Sequence, residues 1–232
     1  MKKNIHETFE EFWQNSGLAA FADTPEKVDH YRKQFERELK YREECNYFEP
    51  EEIVFDTTFV GEYNKRLFDI FEIDKIEEGQ IFVLVKASFE PEYLLKFSII
   101  DEQYVCSHHQ LSAQFWAAQY AETMPAKISM NRAQCALEFT QGKQLFRVLH
   151  QMIEDARPSA NKMIVLDGVR YSVFVRKFGG IKKFIKHSPP ETSATGLCIA
   201  VFDQIIALIH EPESGSAAFV AALDALTDKI DG

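Results

Sequence analysis

A chain of 232 residues that is 46% hydrophobic and 27% charged, with a formal charge of −10, has the composition of a folded globular protein, which excludes a disordered or low-complexity polypeptide. Twenty phenylalanines point to an aromatic core, and the length is ample for one large domain. The longest apolar stretch, Gly196 to Ile209, is interrupted by Asp203 and Gln204 and falls short of the roughly 18 to 20 apolar residues that cross a bilayer.

The chain starts MKKNIHETFEEFW, and its cations run straight into Glu7, Glu10 and Glu11 where a secretory leader would be apolar; a cytoplasmic location is expected. Ile5, Phe9, Phe12 and Trp13 fall at helical spacing, and Asn15-Ser16-Gly17 supplies a stop. Thr24 before Pro25 predicts a capped second helix, with Val28, Tyr31, Phe35 and Leu39 as its apolar stripe, reaching about Glu44. From Ile53 the pattern becomes β-branched and aromatic. EIVFDTTFVGEY, RLFDIFEID, QIFVLVKASF and YLLKFSIIDEQYVCSHH predict three or four strands, antiparallel because the connections are too short for crossover helices. Phe68 to Phe71 also fits a helical turn.

Leu111, Phe115, Trp116 and Tyr120 predict a helix within Gln110 to Ala121, stopped before Pro125. Lys127 to Met130 reads as a strand, and AQCALEFTQGKQLFRVLHQMIEDA as a helix through Leu145, Val148, Leu149 and Met152. Gly142 costs about 1 kcal/mol in a helix interior, which favours a start near it. Val169, Tyr171, Val173 and Val175 then alternate with Arg170, Ser172, Phe174 and Arg176, and Gly179-Gly180 provides the positive dihedrals of a tight hairpin turn before IKKFIKH returns. LCIAVFDQIIALI and SAAFVAALDALTDKI read as two closing helices. The whole predicts an α+β protein, a mainly antiparallel sheet flanked by helices with helical N- and C-termini, as a single domain over 1–232 that would subdivide, if anywhere, near 107–125.

Chemistry-bearing residues are dispersed. Cys45, Cys106, Cys135 and Cys198 form no CxxC pair and are expected as buried thiols. Cys-Ser-His-His places Cys106 and His108 on one face of a strand and His109 on the other, but no second spaced pair completes the four ligands of a structural zinc; no metal or cofactor is expected. The chain carries no GxSxG, HExxH, GxxxxGK[ST] or GxGxxG pattern. Its acidic pairs, Glu10-Glu11, Glu43-Glu44, Glu51-Glu52 and Glu77-Glu78, read as solvated.

The strongest feature is segregated charge. Arg157, Lys162, Arg170, Arg176, Lys177, Lys182, Lys183 and Lys186 gather around the hairpin with Asp167 as the one acid among them, in a chain that is otherwise strongly acidic. Such a strip either guards an edge strand, lies across acidic residues of its own fold, or meets an acidic partner. Nucleic acid is disfavoured as that partner, because the acidic remainder would repel phosphate and no recognition motif accompanies the strip.

The order DGVRYSVFV, GG, IKKFIKHSPP and LCIAVFDQIIALI, over roughly residues 160 to 210, resembles the C-terminal part of small bacterial immunity proteins that accompany secreted toxins. That resemblance implies a non-catalytic cytoplasmic protein that neutralises a toxin or effector by occluding its active surface. Arg170, Arg176, Lys177, Lys182, Lys183 and Lys186 of the hairpin, with Glu43, Glu44, Glu51 and Glu52, are the candidate partner-binding residues. The alternative is an enzyme whose site assembles around Cys106, His108 and His109; a third reading is a structural or adaptor subunit using the hairpin.

Overall fold

The computed structural model describes residues 8–21, 24–120, 128–159 and 168–232. Parts of several expectations therefore lie outside the described residues: the start of the first helix, the Pro125 stop, the strand start at Lys127, and Lys162 and Asp167 of the basic segment. Contacts divide the chain into two units, one ending at Glu44 and one beginning at Cys45.

The first unit holds α1 (Phe9–Asn15) and α2 (Pro25–Glu44). Thr8 caps α1 by accepting from the Glu11 amide at 3.2 Å, and Thr24 does the same for α2 from Lys27 at 3.4 Å. Aromatic pairing joins the two helices: Phe12 stacks on the buried Phe35 with centroids 5.1 Å apart, and Trp13 meets Tyr31 at 5.8 Å.

The second unit is built on a seven-stranded antiparallel sheet ordered β1-β7-β6-β2-β3-β4-β5. Its strands are β1 (Glu49–Glu51), β2 (Ile81–Ala87), β3 (Tyr93–Ile100), β4 (Gln103–Leu111), β5 (Met130–Leu137), β6 (Val169–Lys177) and β7 (Gly180–His187). The helices are α3 (Phe59–Ile70), α4 (Phe115–Tyr120), α5 (Phe139–Glu154), α6 (Ala194–His210) and α7 (Pro212–Asp231). Among the described residues no helix is long and apolar enough to cross a membrane.

Two-residue alternation divides the sheet into two apolar faces. Ile81, Val83, Val85, Leu95, Phe97, Val173 and Val175 point to one face, where α5, α6 and α7 add Leu145, Leu149, Phe202, Ile205, Phe219 and Leu223. Phe82, Leu84, Leu94 and Phe174 point to the other, covered by Tyr63 and Leu67 of α3, Phe71, Ile73, Ile76 and Phe115 of α4. Each fully buried large apolar side chain contributes roughly 1.5–3 kcal/mol. The β6–β7 hairpin forms as its alternation predicts: Lys177 pairs with Gly180, and Gly179 and Gly180 take φ of +95° and +119°.

Two strand and helix expectations are corrected. EIVFDTTFVGEY and RLFDIFEID do not form strands beyond Glu51; their centre is the helix α3. Thr58 caps it, its Oγ1 accepting from the Gly61 amide at 3.1 Å, while Asp56 Oδ1 accepts from Thr58 N and Oγ1 at 3.1 and 2.5 Å. Behind this cap Tyr63, Leu67 and Phe71 recur every four residues and reach the sheet, so tertiary burial overrides β-propensity. Conversely, AQCAL lies in β5, paired from Met130↔Leu111 to Leu137↔Tyr104, where it satisfies the outer backbone groups of β4. The helix α5 follows only at Phe139, and Gly142 lies inside it because any Cβ there would run into the Tyr104 ring.

Candidate functional site: a cation-floored cleft

On the sheet face covered by α3 and α4, the end of β2 meets β6 and β7 in register. Lys86 is the Cα partner of Arg170, and Arg170 is the Cα partner of His187. Three basic residues therefore lie in a row across three neighbouring strands, an arrangement that disfavours the sheet unless anions answer it. Above the row opens a cleft of about 370 Å³ lined by Val60, Tyr63 and Asn64 of α3, Ser88 and Phe89 after β2, and Trp116 of α4, among others.

Each wall has a local cause. Glu92 is almost fully buried and accepts from Tyr63 Oη at 2.6 Å and from the Phe115 and Trp116 amides at 2.7 and 3.0 Å, so one carboxylate ties α3 to the start of α4. Tyr63 and Phe59 each meet Trp116 edge to face, at 4.8 and 5.0 Å. Ser88 Oγ donates to the Gly168 carbonyl at 3.0 Å and accepts from its amide at 3.1 Å, and Gln114 Nε2 donates to the Ser88 carbonyl at 2.7 Å. Burial, reinforced by the facing Glu92 carboxylate, pushes the Tyr63 phenol well up, so it stays a donor.

The floor is electrostatically uneven. Lys86 Nζ donates to the neutral Asn64 Oδ1 at 2.8 Å, and its pKa is pushed down to about 7, first by burial and then by Arg170 and Lys183. Arg170 Nη2 donates to both oxygens of Glu51 at 2.5 and 2.6 Å, while its Nε is buried without an acceptor among the described residues. His187 is held below the ordinary imidazole range, first by burial and then by Arg170 and Lys86. At Glu51 burial pushes up, but Lys183 and Arg170 together outweigh it and hold the carboxyl below its usual range; at Lys183 burial wins and the ammonium is lowered.

Most of the predicted basic strip turns out to be engaged inside the fold. Lys183 meets Glu51 at 2.5 Å, Lys186 meets Glu49 at 2.9 Å, and Lys177 meets Glu154 at 2.6 Å. Arg176 donates to the Ile76 and Asp74 carbonyls at 2.5 and 2.9 Å. Lys182 is exposed, with no ion pair among the described residues. Glu52 is exposed after β1, and Glu43 and Glu44 end α2 in the first unit. Thus Glu49 and Glu51 come together with Arg170, Lys183 and Lys186 at the β1 edge, while Arg176 and Lys177 are engaged elsewhere in the second unit.

The Cys106, His108 and His109 group does not converge. Cys106 is buried opposite Cys135, both free thiols. His108 packs edge to face on Tyr93 and lies with Nδ1 3.0 Å from His210 Nε2, while His109 faces the other way, 3.1 Å from Ser107 Oγ. Among the described residues no group of three or more His, Cys, Asp or Glu is placed to hold a metal ion.

Sequence reasoning missed Lys86, Asn64, Glu92, Phe89 and Trp116 as parts of one site. A faint signal exists in Lys86, the one cation ending the apolar run Ile81 to Ala87. Compared with known proteins, the chain matches no family model, no curated protein and no solved structure.

Proposed function

We propose that this chain acts by binding another protein, without catalysis, through the mouth of the cleft. The observation that carries this reading is an exposed apolar rim beside a cationic floor: Phe89 is 84% exposed and Val60 52%, both lining the cleft, and Phe59, 38% exposed, packs on the lining Trp116. Apolar side chains gathered beside a charged depression are what a partner with a complementary apolar surface and a central acidic group would cover. The resemblance of residues 160–210 to immunity-type proteins gives this reading its most concrete form, a cytoplasmic protein that occludes a toxin or effector. The hairpin then serves mainly as scaffold, with Arg170 and His187 its contributions to the floor.

The test is affinity capture from native cell extract, with neighbouring gene products co-expressed, using the natural chain, Phe89→Asp and Lys182→Glu. The expected result is one stoichiometric protein with the natural chain and Lys182→Glu, lost with Phe89→Asp. A partner retained by Phe89→Asp, or none at any salt concentration, overturns the reading.

A further inference from the structure

We infer that the floor of the cleft is a receptor for one oxyanion, which the partner supplies as the carboxylate of an acidic side chain; this rests on the docking reading above and names the group that enters. The row Lys86, Arg170 and His187 sets three basic side chains directly opposite one another on adjacent strands, where Arg170 holds down the charge of Lys86 and both hold down that of His187. The acids nearby answer it only in part. Glu51 is shared between Arg170 and Lys183, and Glu92 is taken up by Tyr63 and the Phe115 and Trp116 amides. Lys86 finds a neutral acceptor in Asn64, and Arg170 keeps a buried Nε–H with no acceptor among the described residues. A guanidinium and an ammonium on paired positions of neighbouring strands, both lining the cleft, offer donors to the two oxygens of a carboxylate.

Size and walls fit the same guest. A cleft of about 370 Å³ lies at the small end of the range for ligand pockets, enough for one acidic side chain and its apolar neighbours. Tyr63, Trp116 and Phe89 would exclude water from the ion pair, where a charge-assisted hydrogen bond is stronger than in solvent. An incoming carboxylate also favours the charged form of Lys86, so binding takes up a proton and tightens as pH falls toward the range where the free amine is protonated. The groups facing Lys86 in this balance are Arg170, Lys183, His187, Glu51, Glu92 and Tyr63.

The experiment needs no partner. In the full chain carrying Trp13→Phe, Trp116 is the remaining tryptophan and reports on the cleft. Its fluorescence is titrated with N-acetyl-glutamate methylamide, the matching glutamine compound and inorganic phosphate. The glutamate probe should give a saturable millimolar response, at least tenfold weaker with the glutamine probe and in Lys86→Met and Lys86→Gln, both checked for unchanged circular dichroism. Equal response to the two amino-acid probes, a response confined to phosphate, no response, or a response unaltered in both Lys86 variants overturns the assignment. The titration contains no partner, so the two readings fail separately: a saturable glutamate response with no protein captured from extract overturns docking alone, and a captured partner with no glutamate response overturns this assignment alone.

Discussion

Replacing Glu51 by Gln removes the carboxylate that holds the β1 edge to the hairpin. It accepts from Arg170 at 2.5 and 2.6 Å and from Lys183 at 2.5 Å, and the side chains of Glu51, Arg170 and Lys183 are 33%, 26% and 16% exposed. Exposed pairs contribute about 0–1 kcal/mol, whereas breaking a fully buried pair costs about 3–5 kcal/mol. The intermediate burial places this loss at about 2–3 kcal/mol, because two cations are left half-buried beside Lys86. For a chain of this size that corresponds to a fall in Tm of roughly 5–10 °C. Glu51 has a folded pKa below its ordinary value, so its contribution is present above the usual carboxylate range and is lost as pH falls through it. The gap between natural chain and variant should therefore narrow as the pH falls below the usual carboxylate range. Urea unfolding of Glu51→Gln, Lys183→Met and the double variant measures the coupling directly. A Glu51→Gln chain within about 0.5 kcal/mol of the natural one, with no coupling to Lys183, would refute the argument.

Other substitutions probe the walls and the opposite face. Tyr63→Phe removes one of three donors to Glu92 and should cost about 1–3 kcal/mol in urea unfolding, with Trp116 fluorescence shifted as α4 loosens. Gly142→Ala should destabilise by about 1–3 kcal/mol in the same assay, although alanine favours an isolated helix by about 1 kcal/mol, because the Tyr104 ring occupies the Cβ position. The pKa of His108 is pushed down to about 4, by burial and then by His210, so the unfolded chain binds this proton more readily between about pH 6.5 and 4. Stability from His108 is thus complete above pH 6.5 and lost on acidification through that window; comparing denaturant midpoints at pH 7 and 5 for the natural chain and His108→Gln should show a flatter dependence in the variant.

Legibility in the sequence followed the range of the interactions. The β6–β7 hairpin, α2, α6 and α7 were readable because alternation, Gly179-Gly180, the Thr24 cap and apolar runs are local. Misreading arose where local preference lost to packing: β-branched residues around Thr57 and Thr58 became a loop and a helix cap, and AQCAL was drawn into a strand by the open edge of β4. The basic strip was visible, but its counter-ions were not, since Arg170 and Glu51 are 119 positions apart. For the same reason the cleft could not be seen: α3, the end of β2, α4 and β6 meet only through the sheet order.

The recognition surface is tested most directly by hydroxyl-radical footprinting of the chain in native cell extract against the purified chain, read residue by residue by mass spectrometry. Protection centred on Phe59, Val60, Phe89 and Trp116, with Phe178 at the hairpin tip labelled equally in both, is the expected result. Equal labelling of these four residues in extract and in isolation would contradict the account.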